Sequence, residues 1–272
     1  MAPTLHFTAW HEVALIIAFR YFFVAGIFWL IWYVLLRQKV HFKKIQPRFP
    51  VRKDYAREIG YSLLTILIFA SVSSLLLLTP FRQYTAYYSP PLARGWAYFL
   101  LIIPVIFLLH DTYFYWTHRL MHHPKLFRTF HLVHHKSTNP SPWAAFAFHP
   151  LEALVEVGYF ALMIIFLPLS FLHIFIFFAA MIIYNVYGHL GWELYPKGFA
   201  RHWLGRWINT SVNHNGHHQY FKGNYGLYFL WWDRWMGTIR EDYEVKYDEV
   251  RNRTVPAENL GESLALQPRK QA

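Results

Sequence analysis

WAYFLLIIPVIFLLHDTYFYWTHRLMHHPKLFRTFHLVHH, residues 96–135, joins two kinds of sequence that rarely touch. From Trp96 to Leu109 it is apolar and fit for hydrocarbon, and the mixed HDTYFYWTHR extends that run. From His118 to His135 it places six histidines in eighteen residues. A membrane-crossing helix needs roughly 20 mostly apolar residues. Imidazole is costly beside lipid and gains nothing from clustering without a partner. The stretch therefore predicts a membrane helix that delivers a histidine cluster to one face of the bilayer.

The rest of the chain agrees with a membrane reading. Of 272 residues, 55% are hydrophobic and only 15% charged, against roughly 25% charged in a typical soluble domain. Further apolar runs cover Val13–Leu36 (interrupted by Arg20), Gly60–Thr79, Leu151–Pro168 and Ser170–Tyr187. The last two meet at Pro168-Leu169-Ser170 and read as a helical hairpin that either crosses the bilayer or only dips into it. The N-terminus lacks the basic start of a signal peptide, so the first run is expected to be retained. The predicted fold is all-α: a polytopic membrane helical bundle of four to five spans with a histidine-rich helical cap from Gly188 onward. Residues 1–250 are read as one domain and 251–272 as a polar C-terminal tail.

Charge sets the orientation. RQKVHFKKIQPRFPVRKDYAR, residues 37–57, carries eight Lys or Arg, whereas residues 80–95 carry only Arg82 and Arg94. By the positive-inside rule the first loop is cytoplasmic. Counting spans from there puts every later histidine group on the cytoplasmic side. The excess of 26 Lys and Arg over 15 Asp and Glu suits an anionic lipid surface, and no nucleic-acid-binding signature accompanies it. With no cysteine, disulfides, iron–sulfur clusters, haem thiolate and zinc–cysteine sites are excluded.

Seventeen histidines are present, most of them in regular groups. His118 and His122 are four apart, on one helical face about 6 Å apart along the axis. His131, His134 and His135 form an HxxHH group, and His214, His217 and His218 form a second. Imidazoles in such groups can converge on a point, and an all-nitrogen site suits iron, zinc, copper or nickel over magnesium or calcium. One ion takes four to six ligands, so eight histidines argue for two ions. His6, His11, His41, His173 and His202 have no partners in sequence and are read as interface or loop residues.

DTYFYWTHRLMHH, FHLVHH, AFAFHPLE and INTSVNHNGHHQYFKGNYGLYFLWWDRWMGT together resemble the sterol desaturase/fatty acid hydroxylase superfamily. The order of the boxes and the NYG and WDR segments look most like its sterol C-5 desaturase (lathosterol oxidase) branch. The likeness runs from about Leu109 to Arg240; the first hundred residues share only hydrophobicity. It implies that His118, His122, His131, His134, His135, His214, His217 and His218 ligate a di-iron centre, with His189 of YGHLGWE as a further ligand. Members of the family carry a second histidine near that position, where this chain has Glu193, a candidate ligand or supporting carboxylate. His123, His149 and His110 are further candidates. His110 lies eight residues before His118 and reads equally as a polar residue bonded inside the bundle. Asp111 has the right face to orient a ligating imidazole, or to pair with Arg119 or Arg128.

Such a centre implies O2-dependent removal of hydrogen from a lipid C–H bond, ending in an alcohol or an alkene. The implied partners are a sterol-like or fatty-acyl substrate, O2 and an external electron donor, cytochrome b-type or ferredoxin-like, since no flavin or nucleotide motif is present. Zinc is a possible substitute for the two iron ions. A histidine-relay metal transporter would place ligands near the midplane of the spans, and a bis-histidine haem carrier would need isolated facing pairs. A zinc-dependent lipid hydrolase would use about three protein ligands. Desaturation and hydroxylation stay open, as does the lipid. The absence of an evident retrieval signal and the short termini favour a bacterial inner membrane over endoplasmic reticulum.

Overall fold

The computed structural model describes residues 9–254; His6 and the tail from residue 255 lie outside them. The described chain is helical, with isolated bridges only at Lys44–Trp192 and Ile208–Phe229 and no strand. Four helices are long and apolar enough to cross a membrane: Trp10–Leu35, Arg52–Leu78, Gly95–Met121 and Phe171–Gly188. The first consists of α1 (Trp10–Trp29) and a π-helical continuation, Leu30–Leu35. After the short α2 (Arg37–Val40) come α3 (Arg52–Leu78) and α4 (Gly95–Met121).

The second span starts eight residues before the apolar run does. Asp54 accepts from the Val51 backbone N–H at 3.0 Å and Arg57 pairs with it at 2.8 Å, so the charged first turns of α3 are capped and helical although their composition is polar. Outward-facing residues such as Leu15, Phe19, Leu67, Leu100 and Leu101 are exposed, as a lipid-facing surface requires. The inward faces bury Tyr21, Ala25, Ile66, Ala70 and Ile106.

Two short helices, α5 (Pro124–Phe130) and α6 (Leu132–His135), carry the first HxxHH group. A hairpin follows, α7 (Pro150–Phe166) and α8 (Phe171–Gly188). Its tip is held at the far end of the bundle, where Tyr88 N–H donates to Leu169 O and Tyr98 Oη to Pro168 O. Both hairpin arms therefore return to the histidine end: α7 leaves from His149 and α8 arrives at His189. Beyond it, α9 (Ser211–Tyr220), α10 (Trp231–Trp235) and α11 (Tyr243–Asn252) lie among turns. The last described residues are tied down rather than loose. Arg251 donates to Glu193 O, and Arg253 to the Lys44 and Ile45 carbonyls.

Candidate metal centre

Five segments converge at one end of the bundle. α4 brings His118, with His122 immediately after it; His131 follows α5; α6 brings His134 and His135; His189 caps α8; and α9 brings His214, His217 and His218. They form two groups. His118, His122, His131, His135 and His217 make one, and His134, His189, His214 and His218 the other; within each, one nitrogen per residue lies within 4.8 Å of the others. Close packing is needed to reach this. A Cβ at Gly188 would stand 3.2 Å from the His214 ring, and one at Gly223 (φ +77°) would stand 2.5 Å from Thr238 O.

For five of the nine rings the protein fixes which nitrogen faces inward. Nδ1 of His118 donates to Tyr225 O (2.9 Å), of His189 to Asn185 O (2.7 Å), of His217 to Gly223 O (2.7 Å) and of His218 to Ser137 O (3.0 Å). Nδ1 of His131 donates to Glu152 Oε1 at 2.6 Å. A carbonyl only accepts, so Nδ1 carries the proton and each neutral ring aims a bare Nε2 lone pair at the centre. Burial keeps them neutral: the imidazoles of His134, His135, His214, His217 and His218 are pushed well below their ordinary value, and His189 to about 4.

That arrangement fits a cation. Nε2 of His189 and Nε2 of His218 stand 3.1 Å apart with no proton between them, a contact that is repulsive unless both lone pairs point at one cation. Two nitrogens at right angles on one ion, bound at about 2.1 Å each, are about 3 Å apart. Nε2 of His131 and both ring nitrogens of His135 are buried without a hydrogen-bond partner. Buried polar atoms of this kind are rare unless something else satisfies them.

The other candidates lie outside both groups. His123 and His149 do the same job at different helices: each stands before a proline, and its Nδ1 accepts from the backbone N–H two residues on, capping α5 and α7. The repeated His-Pro was the sequence signal for this, since proline favours the first helical position. His110 Nδ1 meets Tyr228 Oη at 2.9 Å, inside the bundle. Glu193 accepts from Tyr187 Oη, Tyr195 N–H and Val212 N–H. Asp111 orients no imidazole and pairs with neither arginine; it accepts from the Tyr228 and Phe229 N–H groups and Trp231 Nε1. It thereby pins the loop whose Tyr225 carbonyl holds His118. The carboxylate that does hold a ring is Glu152, through His131.

Beneath the two groups runs a cavity of about 780 Å³, within the range of a pocket for a small lipophilic ligand. Its inner end is walled by Phe114, Phe148 and Asn185, each of which touches a ring of the centre: His118, His134 and His189 respectively. Its outer end reaches Tyr87–Pro91. Phe171 and Asn185 both line it, so it follows about 20 Å of α8.

The fatty acid hydroxylase family profile matches residues 103–238. A Delta(7)-sterol 5(6)-desaturase of Gibberella zeae is 32% identical over 71% of this chain and 58% of its own. The lathosterol oxidase of Rattus norvegicus is 28% identical over 78% and 71%, and that of Homo sapiens 28% over 71% and 64%. The chain spans only part of the length of the fungal desaturases it matches, 58% and 50% for two of them. No solved structure matches.

Proposed function

The chain belongs to the fatty acid hydroxylase family, and on that premise we propose that it is a membrane-bound, non-haem di-iron oxidoreductase that desaturates or hydroxylates a lipid C–H bond. The single observation that carries this reading is the apolar cavity whose inner wall, at Phe114, Phe148 and Asn185, contacts rings of both histidine groups. A metal transporter would want ligands along the spans, and a zinc hydrolase about three; nine histidines gathered at one end favour neither.

In this reading His118, His122, His131, His135 and His217 hold one iron, and His134, His189, His214 and His218 the other. Two irons so held would supply O2 activation and the transfer of electrons from an external donor. The chain's own residues do the rest. Glu152 and the four carbonyls keep five of the rings in one tautomer and orientation, which stops them from closing on each other or taking up protons. Phe114 and Phe148 separate the centre from the lipid slot with apolar surface, and the slot excludes water from the reacting carbon. The substrate is a sterol-like lipid by the kinship with sterol desaturases, and the centre faces the cytoplasm by the charge of residues 37–57. The relatives compared are fungal and mammalian, and lend no support to a bacterial membrane.

Replacing His134 or His217 by Ala, one from each group, is expected to abolish O2-dependent lipid oxidation. Metal analysis of anaerobically purified protein should find about two irons in the wild type and about one in each variant. Turnover retained in both variants, or a haem spectrum, would sink the reading.

A further inference from the structure

The cavity contains one carboxylate that the protein does not use. Glu156 lines it on α7 and makes no hydrogen bond or ion pair among the described residues. The other buried carboxylates are all engaged: Glu58 by Ser137 and Ser141, Glu152 by His131, and Glu193, Asp111 and Asp233 by several donors each. Three other polar side chains at that end are also engaged. His110 meets Tyr228 Oη, Asn185 Nδ2 donates to Ala145 O and Tyr159 Oη to Ile106 O. An unpaired carboxyl group in an apolar slot within a membrane bundle carries a desolvation penalty, which a ligand can remove by hydrogen-bonding to it.

We propose that Glu156 is the seat for a lipid hydroxyl, so that the substrate is an elongated neutral alcohol held with its hydroxyl end toward the histidine groups and its hydrocarbon end toward Tyr87–Pro91. This deepens the lipid-oxidase reading and rests on it. Depth decides which end goes in. Glu156 is one helical turn, about 6 Å, from Glu152, whose Oε1 is bonded to His131. A hydroxyl seated there presents the carbons a few bonds away to the centre. Hydrogen-bonding chemistry decides the class. A carboxyl group and a hydroxyl can each donate and accept, so an alcohol pairs with Glu156 without bringing a second charge into the slot. Arg20, a cation on the inner wall, stacks on Phe178 at 4.8 Å, seven residues and about 10 Å along α8 from Asn185. Its guanidinium raises the potential of the whole slot, which disfavours a second cation such as a long-chain amine.

The test is equilibrium binding to purified protein in lipid nanodiscs, read by competition against a tritiated saturated 3-hydroxysterol. Competitors are the unlabelled alcohol, its 3-deoxy analogue, a long-chain fatty acid and a long-chain amine. The wild type is expected to bind the alcohol up to about tenfold tighter than the deoxy analogue, the scale of one buried hydrogen bond. Glu156→Leu should erase that ratio by weakening the alcohol alone, while Glu156→Gln, which keeps an acceptor of the same shape, retains part of it. A wild type with no preference for the alcohol overturns the proposal. So does an unchanged ratio in Glu156→Leu, or a fatty acid or amine that outcompetes the alcohol. Because binding is read without turnover, a protein that keeps the hydroxyl preference yet oxidises no lipid would refute the oxidase reading and leave Glu156 assigned.

Discussion

Lys44 shows how far a single side chain can be driven from its ordinary chemistry by its surroundings. It has no solvent exposure; Nζ donates to Asn139 Oδ1 (2.9 Å) and Gln46 O (3.2 Å), with the rings of Phe49, Trp192 and Tyr33 5.4–6.0 Å away. Burial lowers its pKa from 10.5 to about 7. The sign follows from linkage: between those two values the unfolded chain binds a proton that the folded chain does not, so stability rises with pH across that window and the full penalty is present below it. Thermal unfolding in detergent should therefore show the wild type gaining stability from pH 7 to pH 9 relative to Lys44→Met. Parallel pH profiles for the two proteins would refute the assignment. A lysine in a basic loop carries no mark of this burial in sequence. His123 and His149 are the reverse case, because the proline after each one announces a helix start.

Among the elements, α9 has the most to hold in place, since it carries three histidines in ten residues. Its start is fixed by Thr210, whose Oγ1 accepts from Asn213 N–H at 3.1 Å and meets Tyr243 Oη at 3.2 Å. Thr210→Ala is expected to cost about 1–2 kcal/mol, read as a lower unfolding temperature, and to weaken iron retention in the group that His214 and His218 complete. Thr210→Ser should restore both. An alanine variant with unchanged unfolding and iron content would show that packing alone positions α9. The apolar pattern announces α4 and α8 well, because lipid leaves only helix as an option for a long apolar run. It misses the first two turns of α3, which are polar and held by a cap, and it shows a helical cap where the chain from Gly188 to Thr210 is mostly turns pinned by hydrogen bonds.

At the scale of the whole molecule, both histidine groups sit at the end of the bundle to which the Arg37–Arg57 loop belongs, and the cavity opens toward the other end. Sidedness is testable without background, because the chain has no cysteine. In vesicles with the cytoplasmic face outward, an impermeant maleimide should label Gln38→Cys and spare Gln83→Cys, both exposed positions; the opposite pattern would place the centre on the other face. The sequence by itself determined that the protein is a helical membrane bundle and that its histidines converge, since hydrocarbon admits few backbones and regular histidine spacing admits few explanations. Tertiary structure alone decided how the nine rings divide into two groups and, in five of them, which atom faces inward. Those choices depend on carbonyls of Ser137, Asn185, Gly223 and Tyr225, and every residue has a carbonyl. It decided as well that Glu152 and not Asp111 holds a ring, and that Glu156 faces an apolar slot unpaired. A carboxylate's role is set by which donors packing brings within 3 Å or so of it, a long-range outcome that no local pattern records.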